Sequence, residues 1–247
     1  MKAITAKIVE KKLRSLSSKQ KAQHAQRFFK TGKGQYGEGD LFLGITVPVL
    51  RKLAKNFSEM SMSENTKLLH SKWHEIRLIA LIIWVNQYQK ADIQKQKSIY
   101  QQFIQNKKYI NNWDLVDLST PHISGHWLYT TKNRKKLFQL VKSQNLWDRR
   151  IAVVSTFYHI RQNQFSEIIQ LCALLINDTE DLMHKACGWM LREMGKRNKS
   201  VLITFLEKNS GKMPRTMLRY SIEKMSTQEK QKYMNMKRNV KKQKGIK

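Results

Sequence analysis

The sequence predicts an all-α fold assembled from stacked helix pairs, and two observations carry that reading. Breakers are scarce: 247 residues hold 3 prolines and 10 glycines, and four of the glycines (Gly32, Gly34, Gly37, Gly39) fall in one loop. The remainder is rich in good helix formers. A weak internal repeat is the second observation. Glu75-Ile76-Arg77-Leu78-Ile79-Ala80, Asp148-Arg149-Arg150-Ile151-Ala152 and Met183-His184-Lys185-Ala186 each place a basic residue before a small alanine at the start of an amphipathic helix. With Arg77, Asp117, Arg150 and Lys185 as equivalent marks, the spacings are 40, 33 and 35 residues. That is the period of a HEAT-like helical repeat solenoid, a curved α-α superhelix with a concave basic groove. The marks would line that groove as a row of cations interrupted by Asp117. The competing reading is an irregular helical bundle in which the spacing is chance.

In chain order, helices are expected over 2–14 and 17–31, broken at Ser15–Ser18. A long loop, Thr31 to Asp40, follows, and Phe42-Leu43-Gly44-Ile45 packs it back on the body. Thr46 can cap a helix that carries Pro48 in its first turn and runs to Phe57. Helices near 62–71, 73–88 and 92–105 come next. Thr120-Pro121 reads as a cap and a first helical position, so the helix containing Trp113 should end near Ser119. Helices near 121–130, 132–142, 147–162, 165–176, 179–195, 198–208, 214–224 and 226–240 complete the chain. One solenoid domain, 1–236, is expected. The segment 237–247 is lysine- and arginine-rich without an acid and reads as a disordered basic tail.

Lys and Arg number 47 against 18 Asp and Glu, a formal net charge of +29. This points first to a polyanion, most often nucleic acid. Ribosome association and an anionic membrane surface are the bland alternatives. Cys172 and Cys187 lie in apolar helical patterns and read as buried thiols rather than a disulfide framework. Lysines follow the first residues where a secretory apolar stretch would stand. The longest apolar run, Leu78 to Val85, is too short to span a bilayer. A cytoplasmic, reduced, soluble monomer is the expectation.

The chemistry centres on Asn111-Asn112-Trp113-Asp114-Leu115-Val116-Asp117. Trp113 and Asp117 are four residues apart, which on a helix places both on one face and turns Leu115 and Val116 toward a core. An isolated acid in a basic groove is a poor binder of nucleic acid and a plausible catalyst acting on it. Asp114 reads as a cap or a solvated side chain. Trp73, Trp84, Trp127 and Trp147 read as core. The Gly-rich loop lacks the spacing of a phosphate-binding P-loop. It could close over nucleic acid through Lys30, Lys33 and Tyr36, or simply connect two elements. His70/His74 and His122/His126 are i, i+4 pairs without a third ligand, so neither a metal nor another cofactor is expected.

Four motifs in order resemble the AlkD-like DNA alkylation repair family, DNA glycosylases built from HEAT-like repeats. They are Tyr36-Gly37-Glu38-Gly39-Asp40 through Phe42-Leu43-Gly44-Ile45, then Trp113-Asp114-Leu115-Val116-Asp117, then Trp147-Asp148-Arg149-Arg150-Ile151-Ala152, and Lys185-Ala186-Cys187-Gly188-Trp189-Met190-Leu191-Arg192-Glu193. The resemblance covers about residues 20 to 225. It implies a catalytic aspartate at Asp117, active-site tryptophans at Trp113 and Trp189, and a backbone-holding arginine at Arg150. The implied substrate is double-stranded DNA carrying N3- or N7-alkylated purines, excised without flipping the lesion into a deep base pocket, in contrast to the general rule. A DNA-facing tyrosine of the family falls here on Phe28, with Tyr36 as a possible substitute. Arg149, Lys185, Arg77 and Arg192 are further candidates for phosphate contacts. A non-catalytic helical-repeat protein that binds DNA or structured RNA is the alternative.

The residues suit that chemistry. Alkylation at N7 or N3 makes the purine cationic, so it leaves as a neutral base and needs no acid. The sugar passes through an oxocarbenium ion that a single carboxylate can steady while it holds a water. A charge pair at 4 Å is worth ~4 kcal/mol at an effective dielectric of 20. Expressed only in the transition state, that is about a thousandfold in rate, enough for a labile bond and too little for an intact nucleotide. Indole faces add roughly 0.5–2 kcal/mol by cation–π attraction.

Overall fold

The structure is a computed structural model that describes residues 3–236. The basic tail expected at 237–247 therefore lies outside the described residues, as do Met1 and Lys2. Among the described residues the regular structure is helical, apart from one isolated bridge between Leu41 and Trp73. The described residues fall into two compact units that meet in sequence between Trp127 and Leu128.

The first unit opens with α1 (Ala6–Arg14) and α2 (Lys19–Phe28). Thr5 and Ser18 cap them with side-chain oxygens, which is why the break falls at Ser15–Ser18. The Gly-rich loop leads to α3 (Val47–Lys55), with proline in its first turn. Thr46 stands at its N-cap position but makes no side-chain cap bond. Then come α4 (Met62–Leu69), α5 (His74–Lys90), α6 (Ile93–Gln105) and α7 (Trp113–Ser119). Helix α5 is apolar nearly all round, and 14 of its 17 residues are buried, as a helix without a polar face must be. It is the axis of this unit: α3, α4 and α7 all pack on it.

A new helix was expected to start at Pro121. Instead Thr120 keeps helical angles (φ −60°, ψ −46°) and the chain runs on through a π-helical turn, Pro121–Gly125. Gly125 donates to the Thr120 carbonyl at 2.8 Å. Proline has no N–H to give, so the ladder skips a step and widens rather than ending.

The bridging helix α8 (His126–Thr130) is followed by α9 (Arg134–Leu140), α10 (Leu146–Arg161), α11 (Ser166–Leu174), α12 (Asp181–Arg197), α13 (Lys199–Asn209), α14 (Arg215–Ser221) and α15 (Thr227–Asn235). Within the second unit α10, α12 and α14 pack in series, while α9 and α11 pack on α10 and α11 and α13 on α12. This alternation is what stacked helix pairs produce. The repeat marks fall at matching places: Arg77, Asp117, Arg150 and Lys185 each stand at the fourth or fifth residue of α5, α7, α10 and α12. Cys172 and Cys187 are free, buried thiols. No helix among the described residues is long and apolar enough to cross a membrane.

Candidate active site

Helix α7 is short, so what fixes its position lies outside it. Asn112 is its cap, accepting from the Trp113 amide at 2.8 Å through Oδ1. The other end of that side chain donates to Asp40 Oδ2 at 3.2 Å. Leu115, Val116 and Ser119 are buried, whereas Trp113, Asp114 and Asp117 are half-buried. The helix thus presents an indole and, one turn on, a carboxylate along its partly exposed side.

Trp113 is held by rings from α2 and its C-terminal cap residue. It stacks on Phe29 at 5.3 Å between centroids and meets the edge of Phe28 at 5.8 Å. Phe29 in turn stacks on Phe42 at 5.1 Å, and Phe42 on the His74 ring at 4.6 Å. Beneath this column lies a buried ionic chain. His74 faces Asp40 Oδ2 through Nδ1 at 3.1 Å and Asp114 Oδ2 through Nε2 at 2.7 Å. Arg77 donates to Asp40 Oδ1 at 2.6 Å. Burial opposes charge on His74, but the Asp114 and Asp40 carboxylates outweigh it and raise its pKa from 6.5 to about 9. Burial likewise opposes ionisation of Asp40, and His74, Arg77 and Asn112 together still hold its pKa below the usual value. Glu75 closes the arrangement. Its carboxylate accepts from the Leu43, Gly44 and Ile45 amides at 2.9, 2.8 and 3.2 Å.

The remaining candidates divide by unit. In the first, Phe28 is the most exposed large apolar side chain of α2, at 57%. The Tyr36 hydroxyl donates to the Phe28 carbonyl at 3.5 Å, so the family's tyrosine position and its possible substitute are neighbours. Lys33 is exposed on the loop. Arg77 is 4% exposed, and its guanidinium is taken by Asp40 and the Ser71 carbonyl. Asp114 is likewise no solvated acid but the partner of His74. Neither role is visible in local sequence. A signal did exist, because three titratable or charged residues open a helix and run straight into eight apolar ones, Leu78 to Val85, and such groups must find buried partners.

In the second unit Trp189, half-buried on α12, lies 5.8 Å from the Phe157 ring of α10. Arg150 is buried on α10 and donates to the Leu182 carbonyl at 2.6 Å. The Arg149 guanidinium is engaged by Asp178 at 2.7 Å and by the carbonyls of Ser143 and Gln144. Lys185 pairs with Asp181 at 2.7 Å, and Arg192 with Glu223 and Glu193. Trp84 and Trp147 are core, as expected, whereas Trp73 and Trp127 are only half-buried. Trp73 lies under the Arg14 guanidinium at 5.1 Å, and Trp127 stacks on Tyr100 at 5.6 Å.

A cavity of about 650 Å³ opens in the first unit between α2, the start of α3 and α5. Phe28, Phe29, Phe42, His74 and Asp114 line it, and Trp113 and Asp117 do not. No group of three or more metal-ligating side chains converges among the described residues.

No curated protein matches this sequence. Among solved structures, a predicted DNA alkylation repair enzyme from Enterococcus faecalis is similar, with a TM-score of 0.65 at 15% identity over 85% of this chain and 97% of that one. At that identity the likeness establishes a shared fold. The sequence model described as DNA alkylation repair enzyme matches residues 9–225. With nearly the whole of both units inside that match, this chain belongs to the DNA alkylation repair enzyme family.

Proposed function

We propose that the protein is a monofunctional DNA glycosylase that hydrolyses the N-glycosidic bond of N3- and N7-alkylated purines in double-stranded DNA and leaves an abasic site. Membership of a DNA alkylation repair family supports a role in alkylation repair. The observation that carries the finer reading is the pairing on α7: Asp117 one turn from Trp113, both partly exposed, in a chain of net charge +29.

In this reaction Asp117 holds a water against the anomeric carbon and opposes the positive charge that develops on the sugar. The glycosidic electron pair leaves with the base, which departs neutral; water adds to that carbon and gives up one proton to Asp117, which releases it to solvent. Trp113 offers its indole to the electron-poor sugar and lesion. Arg150 and Trp189 are proposed for backbone and lesion contact on the family pattern. The cavity in the first unit omits Trp113 and Asp117, which suits excision without a base pocket.

The test is release of N7-methylguanine from a methylated duplex. Wild type should release base, and Asp117→Asn should lower the single-turnover rate by about a hundredfold to a thousandfold. Tight binding to the duplex with no release by wild type would replace this reading with that of a non-catalytic DNA-binding protein. Binding itself should weaken steeply with salt.

A further inference from the structure

The buried ionic chain of the first unit has no place in the reaction just described, yet it touches α7 and the rings and cap that hold it. His74 is 2% exposed and has a carboxylate on each ring nitrogen. A carboxylate only accepts, so both nitrogens must donate, and only an imidazolium can do that. One acceptor, Asp114, is a residue of α7 between Trp113 and Asp117. The other, Asp40, also holds Asn112, the cap of α7. The face of the His74 ring lies on Phe42 and, at 4.9 Å, beside Phe29, the ring on which Trp113 stacks. One cation therefore ties the Gly-rich loop, the aromatic column and the start of α7 together.

We infer that His74, as a cation shared by Asp40 and Asp114, is a positioning residue: it sets the orientation of α7 and so of Trp113 and Asp117. The catalytic half of this inference rests on the glycosylase reading. The charged groups around His74 are few. They are Asp40 from the loop, Asp114 from α7, Arg77 and Glu75 from its own helix, and Lys21 and His24 of α2, which line the same cavity. Asp114 is the largest cause that favours the charge, with burial and Arg77 opposing it. Removing the Asp114 charge should let His74 lose its proton at lower pH. Asp117 needs no such proton, so an alkaline limit to activity would report on His74.

Two variants and two readouts test this. Single-turnover base release is measured from pH 6 to 10.5 for wild type, His74→Gln and Asp114→Asn, with the enzyme-free rate subtracted. In parallel, the ¹³C ring resonances of Trp113, assigned by Trp113→Phe, are followed over the same range. Wild type should lose activity near pH 9, and its Trp113 resonances should move in the same interval. Asp114→Asn should bring both transitions down by at least about one pH unit. His74→Gln should be at least about tenfold slower with little change in duplex affinity, and its Trp113 resonances should no longer titrate.

Wild-type rates and an unmoved alkaline limit in both variants would overturn the inference. If His74→Gln fails to fold, Asp114→Asn decides: a shifted limit supports the role and an unshifted one refutes it. If wild type releases no base, the glycosylase reading falls while the Trp113 resonances still decide whether His74 sets the helix. Movement that follows the His74 titration supports it, and constancy refutes it.

Discussion

Glu75 and His74 are adjacent, both buried and both bonded to segments far from them in sequence, and they do opposite jobs. Glu75 offers an anion to three successive amides, 43 to 45, that no helix or strand serves. His74 offers a cation to two acids. Replacing Glu75 by Gln keeps the shape but turns an amide N–H₂ toward at least one buried N–H. The unmade bonds should cost about 1–3 kcal/mol, read as a lower urea midpoint with an unchanged slope. Asp114 and Asp117 form a similar contrast three residues apart on α7. Asp114 is bound to His74, whereas Asp117 is the acid proposed to face the sugar. Their spacing alone would not have separated them, because both belong to the partly exposed side of one helix.

At the scale of elements, close approach decides which residues are permitted. Gly188, next to Trp189 on α12, lies where a Cβ would come within 2.5 Å of both the Met217 carbonyl oxygen and the Tyr220 Cβ of α14. Helices α12 and α14 pack extensively, and a methyl group at this crossing would drive them apart. Gly188→Ala should destabilise the protein by about 1–3 kcal/mol, seen as a lower thermal midpoint, despite the better helix propensity of alanine. Gly44 is constrained twice. Its φ is +78°, and a Cβ would stand 2.2 Å from the Ser18 carbonyl oxygen. That contact seats the loop before α3 on the start of α2, where Glu75 then reaches its amides.

For the whole molecule, the buried pairs make stability depend on pH at both ends. The folded state raises the pKa of His74 from 6.5 to about 9, so folding binds a proton more tightly than unfolding does. The stabilisation is complete below about pH 6.5 and is lost as pH rises to about 9. A shift of that size corresponds to on the order of 3 kcal/mol. Asp40 has the opposite sign: its pKa is lowered from 3.8, so its contribution is present above that value and lost as pH falls below it. Urea unfolding at fixed ionic strength should show maximal stability between about pH 4 and 6.5 and a decline from about pH 6.5 to 9. The alkaline decline should be absent in His74→Gln. A net charge of +29 adds self-repulsion, which salt will relieve even as it weakens the proposed DNA binding.

By itself the sequence determined that the chain is helical, where most helices begin and end, and that Trp113 and Asp117 share one side of a helix ending at Ser119. These follow from propensity, side-chain caps and spacing, all of which act within a few residues. It also carried four family motifs in order, and with them the expected roles. Only the tertiary structure decided the fate of the charges. Arg77 and Arg149 look like free cations in sequence and are spent on Asp40 and Asp178. Asp114 looks solvated and is bound to a histidine 40 residues away. The reason is that a buried charge is tolerable only when packing brings its partner to it, and which distant segment arrives is a property of the fold rather than of any local run of residues.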